Sequence, residues 1–477
     1  MTYRRTTIAV GLPATFFSFV APVDAQAAPL DGSALVWPWA LPFLGILLTI
    51  ALMPSMAPLL WGRHYGKVAF VWAALAVVPL AALFDLPTAL AALLHTMLAD
   101  YLSFIVLLFS LYVVAGGILV RGHLRGTPLV NTALLALGTV IASFVGTTGA
   151  AMILIRPLLR ANAARLNSAH VVVFFTFLAA NIGGSLAPIG NPPLFVGFLH
   201  GVDFFWTTQH LLAPTAVTAA LVLAVFVIVD VFFYRQDRRI TTVGEVEPPV
   251  HLELRGGVNL LLIAGIVAAI LASAFWRPGV RFEIHGTVLE LQNLVRDAVL
   301  LLLALLSLAL TPNEHREANG FTWEPIAEVA ILFAGIFACI IPVMAMLQAG
   351  ANGAFAWLLA AATASDGTPR DAAYFWLSGV LSAFLDNAPT YLVFFSLAGG
   401  DPAALMGRLG STLAAISMGA SYMGALTYVG NAPNLMIQAI AVERGVKMPS
   451  FFGYMIWSCA VLLPVFALIT YLFVGGS

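Results

Sequence analysis

The sequence GSLAPIGNPP at residues 184–193 returns as GALTYVGNAP at residues 424–433, and this pair of stretches decides the fold. The offset between their Gly-Asn pairs, from residue 190 to residue 430, is 240. The same offset places GTTGA at residues 146–150 over DNAPT at residues 386–390. Because two separate motifs share one offset, the sequence indicates an internal repeat.

Both Gly-Asn stretches interrupt long apolar runs, and neither can continue a helix. Proline removes a backbone donor and clashes with the preceding helical turn. Inside lipid, such irregular backbone persists only where it is buried in protein or lines a wet cavity. A single break of this kind is usually a simple kink, but two at matched positions favour a binding site. Freed carbonyls and Asn side chains suit Na⁺, whereas the N-termini of the resumed helices suit an anion.

The composition requires a membrane. Of the 477 residues, 61% are hydrophobic and 9% are charged, whereas soluble domains carry about 25% charged residues. The net charge of −1 gives no argument for nucleic acid binding. The sequence contains no HExxH or CxxC motif and no nucleotide-binding loop, so neither an enzyme nor an ATP-driven pump is predicted.

Four apolar regions are irregular, and the rest read as regular spans of about 20 residues. The irregular regions are 131–160, 171–199, 372–398 and 413–441. Basic residues, among them Arg160, Arg165, Arg444 and Lys447, fall mainly on the predicted cytoplasmic side, whereas Arg277, Arg281, Arg370 and Arg408 lie on the opposite side. This pattern holds only if 131–160 and 372–398 are hairpins that return to the side they entered. We therefore predict an all-α polytopic membrane protein with two inverted repeats, each containing a re-entrant hairpin and a broken helix.

The predicted organisation has five parts. Residues 1–27 read as a signal peptide, because Arg4 and Arg5 precede an apolar stretch and Ala25-Gln26-Ala27 has the A-x-A form. The alternative is an uncleaved first anchor. Residues 28–99 form N-terminal scaffold helices, 100–235 the first transport repeat, 236–324 linker helices, and 325–477 the second transport repeat.

Asp386 is the strongest candidate for a functional residue. A carboxylate at the middle of a span costs about 2.5–3.5 kcal/mol on insertion scales, so such residues are functional candidates. Burial favours its protonated form, while a bound cation favours the carboxylate, so one group can hold either H⁺ or Na⁺. The alternative is a helix N-cap, and the two roles are compatible.

The predicted binding residues lie at the two hairpin tips and the two breaks: Thr147, Thr148, Gly149, Gly190, Asn191, Pro192, Asp386, Asn387, Thr390, Gly430, Asn431 and Asn434. Among them, Asp386, Asn387 and Asn431 are the predicted sodium ligands. Arg156 lies further along the first hairpin. It could extend to the cytoplasmic interface or reach an anionic substrate.

These motifs resemble the ion transporter superfamily from about residue 100 onward. LDNAPT at residues 385–390 is similar to the hairpin signature of NhaD-type sodium/proton antiporters and arsenite-efflux relatives, and PIGNPP at 188–193 and GNAPN at 430–434 also fit. KMPSFFGYM at 447–455 resembles the bacterial group named for citrate transport and sodium:proton antiport. The Ser-Asn-Thr signature of dicarboxylate/sodium symporters is absent from both hairpins, and the first hairpin lacks an acid matching Asp386.

The resemblance implies a sodium-linked secondary transporter that works by alternating access as a homodimer in the bacterial inner membrane. The first hypothesis is sodium/proton antiport, with Na⁺ as the transported or coupling ion and no other cofactor. The alternative is sodium-coupled uptake of citrate or another carboxylate. A channel or an arsenite-efflux subunit is a more distant third hypothesis.

Overall fold

The computed structural model describes residues 30–122, 124–240, 253–364 and 367–475. Within these ranges, ten helical segments are long and apolar enough to cross a membrane. The protein is therefore an all-α polytopic membrane protein, as its composition predicts. The predicted signal peptide, 1–27, lies outside the described residues.

The first nine helices run from the N-terminal scaffold to the middle of the chain: α1 Leu41–Met56, α2 Pro58–Leu83, α3 Leu86–His95, α4 Leu102–Gly116, α5 Pro128–Ala161, α6 Ala169–Ala179, α7 Pro192–Leu199, α8 Trp206–Ile240 and α9 Val258–Phe275. A π-helical turn, Thr96–Tyr101, joins α3 to α4, so the two helices form one continuous span, Leu86–Gly116.

The remaining ten helices are α10 Leu291–Leu310, α11 Asn313–Ala318, α12 Glu324–Gln348, α13 Ala356–Ala362, α14 Asp371–Leu385, α15 Asn387–Leu397, α16 Pro402–Met406, α17 Gly410–Tyr422, α18 Ala432–Glu443 and α19 Phe451–Ile469. Two small pairs of antiparallel β-strands lie between helices. Strand β1 (Leu119–Arg121) pairs with β2 (Glu253–Arg255), and β3 (Arg281–Ile284) pairs with β4 (Thr287–Glu290).

Helix α5 is a hairpin, because it turns at Gly146, whose φ of +77° is not helical. Its two ends meet, since the side-chain amides of Asn131 and Asn162 exchange hydrogen bonds of 2.9 and 2.8 Å. Helices α14 and α15 form the second hairpin, with the turn at Asp386. There the rings of Tyr374 and Phe394 approach to 6.3 Å between centroids.

Two broken helices accompany the hairpins. Helices α6 and α7 are separated by a 3₁₀ turn, Ile182–Leu186, and an extended Asn191. Helices α17 and α18 are separated by a 3₁₀ turn, Met423–Leu426, and an extended Asn431. The two copies thus share their local geometry at the offset of 240 found in the sequence. Their inverted relation in the membrane stays a prediction.

The hairpins, the broken helices, α4 and α12 lie toward the centre of the molecule, and the other spans surround them. In the segment Ala169–Leu186, 89% of the 18 residues are buried, against 17% of the most apolar 18-residue stretch in Leu59–Leu83. The outer helices present large apolar side chains to their surroundings, for example Phe70, which is 73% exposed. Exposed apolar surface on this scale indicates contact with lipid. The central position is where irregular backbone is tolerated.

Candidate functional site

Asp386 forms the tip of the second hairpin and begins α15. Its backbone has φ +73° and ψ 144°, a strained combination that is normally adopted by glycine. The carboxylate accepts a hydrogen bond of 3.3 Å from the Ala388 N–H, and the Thr390 hydroxyl donates to the Asp386 carbonyl at 2.8 Å. Asp386 is thus an N-cap, one of the two roles its sequence context suggested. Thr390 secures the turn.

The tip of the first hairpin lies against the first break. The Thr147 N–H donates to the Gly190 carbonyl at 2.9 Å. Thr148 lines the same small cavity as Asp386. Gly149 packs closely against α4, where an added Cβ would stand 3.2 Å from the Cβ of Ala115. Thr147 and Thr148 therefore face the centre, while Gly149 allows two helices to approach.

Asn191 and Asn387 join the first break to the second hairpin. The Asn387 Nδ2 donates to the Asn191 Oδ1 at 3.0 Å. Both residues are buried, and within the described chain the Asn387 Oδ1 and the Asn191 Nδ2 have no hydrogen-bond partner. An unpaired buried polar atom costs about 1–3 kcal/mol, so these atoms are candidates for contact with an ion or water.

Asn431 and Asn434 hold the second break, with different partners. The Asn431 Nδ2 donates to the Ala180 carbonyl at 2.7 Å, at the end of α6. The Asn434 Nδ2 donates to the carbonyls of Gly424 and Thr427, both at 2.9 Å, and its Oδ1 accepts from Asn181. All polar atoms of the Asn434 side chain are thus engaged, so it braces the turn.

Gly190 and Gly430 allow two stretches of backbone within each break to come into close contact. A Cβ on Gly430 would lie 2.6 Å from the Gly424 carbonyl oxygen, and one on Gly190 would overlap the Gly184 carbonyl oxygen. Real Cβ atoms do not approach backbone this closely. Glycine is required at both positions for the same reason, which explains why they match in the repeat.

Four of the twelve predicted binding residues line one small cavity of about 70 Å³. Asp386, Thr148, Asn431 and Pro192 all line it, so both hairpin tips and both breaks meet there. Asp386 also lines a larger cavity of about 630 Å³, which reaches Glu324 at the start of α12. The site therefore has access to one end of the molecule.

Asp386 has no cationic partner. In the described part of the chain, no Lys, Arg or His nitrogen lies within 4.0 Å of its carboxylate. The larger cavity contains one arginine, Arg156, against Asp386 and three glutamates: Glu324, Glu328 and Glu443. Glu328 accepts a hydrogen bond of 2.7 Å from the Trp61 indole. Carboxylates thus outnumber cations around the site, which favours a cationic ligand.

Asn181 is a central residue that the sequence analysis missed. It is completely buried, and its Nδ2 donates to the Thr176 carbonyl at 2.9 Å and to the Asn434 Oδ1 at 2.9 Å. Its Oδ1 accepts from Asn431 at 3.3 Å. Asn181 therefore joins the two broken helices. The available signal was a lone Asn at the end of an apolar run that precedes a break.

A second missed cluster closes the base of the first hairpin. Asp230 of α8 lies 2.5 Å from Arg165 and 2.8 Å from the His170 ring. It also accepts a hydrogen bond of 3.0 Å from Asn131, at the beginning of α5. Buried charges in membranes are normally paired in this way. The cluster anchors the hairpin to α8 and lies away from the Asp386 cavity.

Comparisons with known proteins give the family. Residues 32–474 match the profile of the family described as "Putative citrate transport". A protein of Mycobacterium bovis and one of Mycobacterium tuberculosis, each described as an uncharacterized transporter, are both 27% identical over 340 residues. These alignments cover 69% of this chain and 73% of each relative. The chain therefore belongs to the putative citrate transport family and is a membrane transporter.

Proposed function

We propose that the protein is a sodium/proton antiporter that works by alternating access, with Asp386 as the group shared by Na⁺ and H⁺. The observation that carries this proposal is the buried Asp386 carboxylate, which has no cationic partner within 4.0 Å among the described residues and lies where both hairpin tips and both breaks meet. An isolated buried charge is costly, so the carboxylate must bind either a proton or a cation. Neutral oxygens for a cation are supplied by Thr148, Asn387 and Asn431.

The cost of an unpaired buried charge also couples the movement of Na⁺ to that of H⁺. With H⁺ or Na⁺ bound, the Asp386 site has no net charge, and it can change its exposure at low cost. With neither ion bound, the carboxylate would have to pass through a low-dielectric barrier as a bare anion. The empty carrier is therefore the slow form, and exchange of one cation for the other is favoured over a leak.

Two cavities lie in opposite halves of α12. The 630 Å³ cavity that contains Asp386 is lined by Glu324 and Glu328 of α12. A second cavity, of about 840 Å³, is lined by Met344 and Gln348 of α12. Leu392 of α15 also lines the second cavity. Six residues separate it from Asp386, or about 9 Å along a helix. A short barrier of this kind supports alternating access, with this structure open toward the face that the charge pattern predicts to be cytoplasmic.

The second candidate function is sodium-coupled uptake of citrate or another carboxylate. Two observations favour it: the description of the family, and Arg156, which lines the larger cavity with Asp386 and whose buried Nη1 has no hydrogen-bond partner among the described residues. In this alternative, Na⁺ binds at Asp386 and the substrate carboxylate pairs with Arg156. The three glutamates of the same cavity oppose a multiply charged anion.

Flux in proteoliposomes tests both candidates. For the antiporter, external Na⁺ should drive H⁺ out, and a dye trapped inside should report alkalinisation. Asp386→Asn should abolish this signal, whereas Asp401→Asn should leave it intact, because Asp401 also caps a helix but is exposed. Unchanged antiport in Asp386→Asn would refute the assignment. Sodium-dependent accumulation of labelled citrate without proton exchange would select the second candidate; arsenite and Li⁺ serve as further substrates.

A further inference from the structure

A third cavity, of about 520 Å³, is lined by cations. It lies where α5 ends, α6 begins and α18 connects to α19, on the face predicted to be cytoplasmic. Its lining contains four arginines and a lysine and no Asp or Glu: Arg156, Arg160, Arg165, Arg444 and Lys447. A wall with five cationic side chains and no acid predicts an anionic ligand.

Most of these cationic side chains form no ion pair with the described residues. Arg165 is paired with Asp230 at 2.5 Å and with Asp237 at 3.4 Å. By contrast, none of the other four cations has a carboxylate within 4.0 Å among the described residues. Arg160 donates to the Val120 carbonyl at 2.5 Å, which orients its guanidinium but leaves its charge uncompensated.

Two further observations point to a ligand in the cavity. Arg156 is only 7% exposed, and its Nη1 is buried without a hydrogen-bond partner. Helix α6 begins at the cavity with Ser168, Ala169 and His170 in the wall, and Ser168 makes no side-chain cap. The first N–H groups of a helix need acceptors, and phosphate oxygens at a helix N-terminus provide them.

The cavity also has an apolar side that faces the lipid-contacting helices. Leu166 is 62% exposed, and Phe233 of α8 and Trp457 of α19 complete this part of the wall. A freely soluble anion gains nothing from such a wall, whereas the glycerol and first acyl carbons of a lipid do. Basic pockets between helices on the cytoplasmic side are typical headgroup sites.

We propose that this cavity binds the phosphate group of an anionic phospholipid. The phosphate oxygens accept hydrogen bonds from Arg156, Arg444, Lys447 and the α6 N-terminus, and the acyl chains lie along α8 and α19. Arg156 also lines the cavity that contains Asp386. A bound headgroup therefore neutralises Arg156 beside the cation pathway, which makes cation entry easier in anionic membranes.

Lipid binding to the purified full-length protein tests the proposal without a transport assay. Native mass spectrometry measures phosphatidylglycerol retained in competition with phosphatidylcholine, in wild type and in R444A/K447A. Both residues are exposed, so the fold should persist. The matched control is R370A/R408A, which removes two exposed arginines predicted to lie on the opposite face. Each basic residue near a membrane contributes about fivefold in affinity, so R444A/K447A should bind phosphatidylglycerol about 25-fold more weakly.

The expected result is this loss in R444A/K447A, wild-type retention in R370A/R408A, and no displacement by millimolar inorganic phosphate. Equal retention in wild type and R444A/K447A would overturn the proposal. Displacement of the lipid by inorganic phosphate would also overturn it, because the site would then belong to a soluble anion.

Discussion

A methyl group at Gly190 should damage both the fold and transport. The added Cβ would overlap the Gly184 carbonyl oxygen and stand 2.9 Å from the Gly184 carbonyl carbon and 3.0 Å from the Ser143 Cα. All three obstacles are backbone atoms, so no side-chain rotation relieves the overlap. The turn must open, and this would move the Gly190 carbonyl away from the Thr147 N–H that it accepts from.

The size of the effect follows from two terms. Overpacking costs about 1–3 kcal/mol, and a backbone clash belongs at the upper end of that range. Loss of the hydrogen bond from Thr147 adds about 1 kcal/mol. For Gly190→Ala we expect a loss of about 3–4 kcal/mol and, at roughly 2 °C per kcal/mol for a long chain, a melting temperature about 6–8 °C lower.

Thermal unfolding of the detergent-solubilised protein, followed by fluorescence-detected size-exclusion chromatography, measures this shift. Gly62→Ala is the matched control, because it lies in α2 with no atom within 4 Å of the added Cβ. It should unfold at or slightly above the wild-type temperature, since Ala favours helix. Equal melting temperatures for Gly190→Ala and Gly62→Ala, with wild-type flux in both, would refute the close crossing of the first broken helix.

Three further substitutions test the hairpins. Gly146→Ala should lower the melting temperature, because a φ of +77° costs an Ala about 1–2 kcal/mol; an unchanged value would argue against the turn. Asp386→Val should unfold earlier than Asp386→Asn, because a β-branched residue is strained at φ +73°, and equal unfolding temperatures would contradict that geometry. Asn162→Ala removes both amide hydrogen bonds to Asn131, at a cost of about 2–3 kcal/mol, and should speed hydrogen exchange at the ends of α5. Exchange at the wild-type rate would mean that this pair of residues does not close the hairpin.

The sequence was sufficient to predict those backbone features that are determined by the residue itself. Proline and glycine limit the backbone through their own atoms, so the points where the broken helices resume, just after Asn191 and Asn431, could be predicted, whereas the ends of α6 at Ala179 and of α17 at Tyr422 were not. The offset of 240 also aligned Gly146 with Asp386, and the structure gives these two residues nearly the same backbone, φ +77° and ψ 155° against φ +73° and ψ 144°. Composition alone was sufficient for the membrane class.

The roles of individual side chains could be assigned only from the structure, because they depend on contacts between distant segments. Asn434 was predicted as a ligand, but its amide braces the second break because Asn181, from the other repeat, lies against it. Asn181 itself was not predicted, since Asn431 and Asn434, which it joins to the first break, are about half the chain away in sequence. Gly149 serves close packing against Ala115, which periodicity cannot distinguish from a site. Pairings between distant segments are decided by packing and leave no local pattern.

Sodium-induced proton release tests most directly the claim that one carboxylate holds either H⁺ or Na⁺. Purified protein in weakly buffered solution is mixed with NaCl, with choline chloride as the control for ionic strength, and a pH indicator reports the protons released. We expect wild type to release up to one proton per chain with saturable dependence on Na⁺, and Asp386→Asn to release none. Equal release from both proteins would contradict the assignment of Asp386 as the shared site.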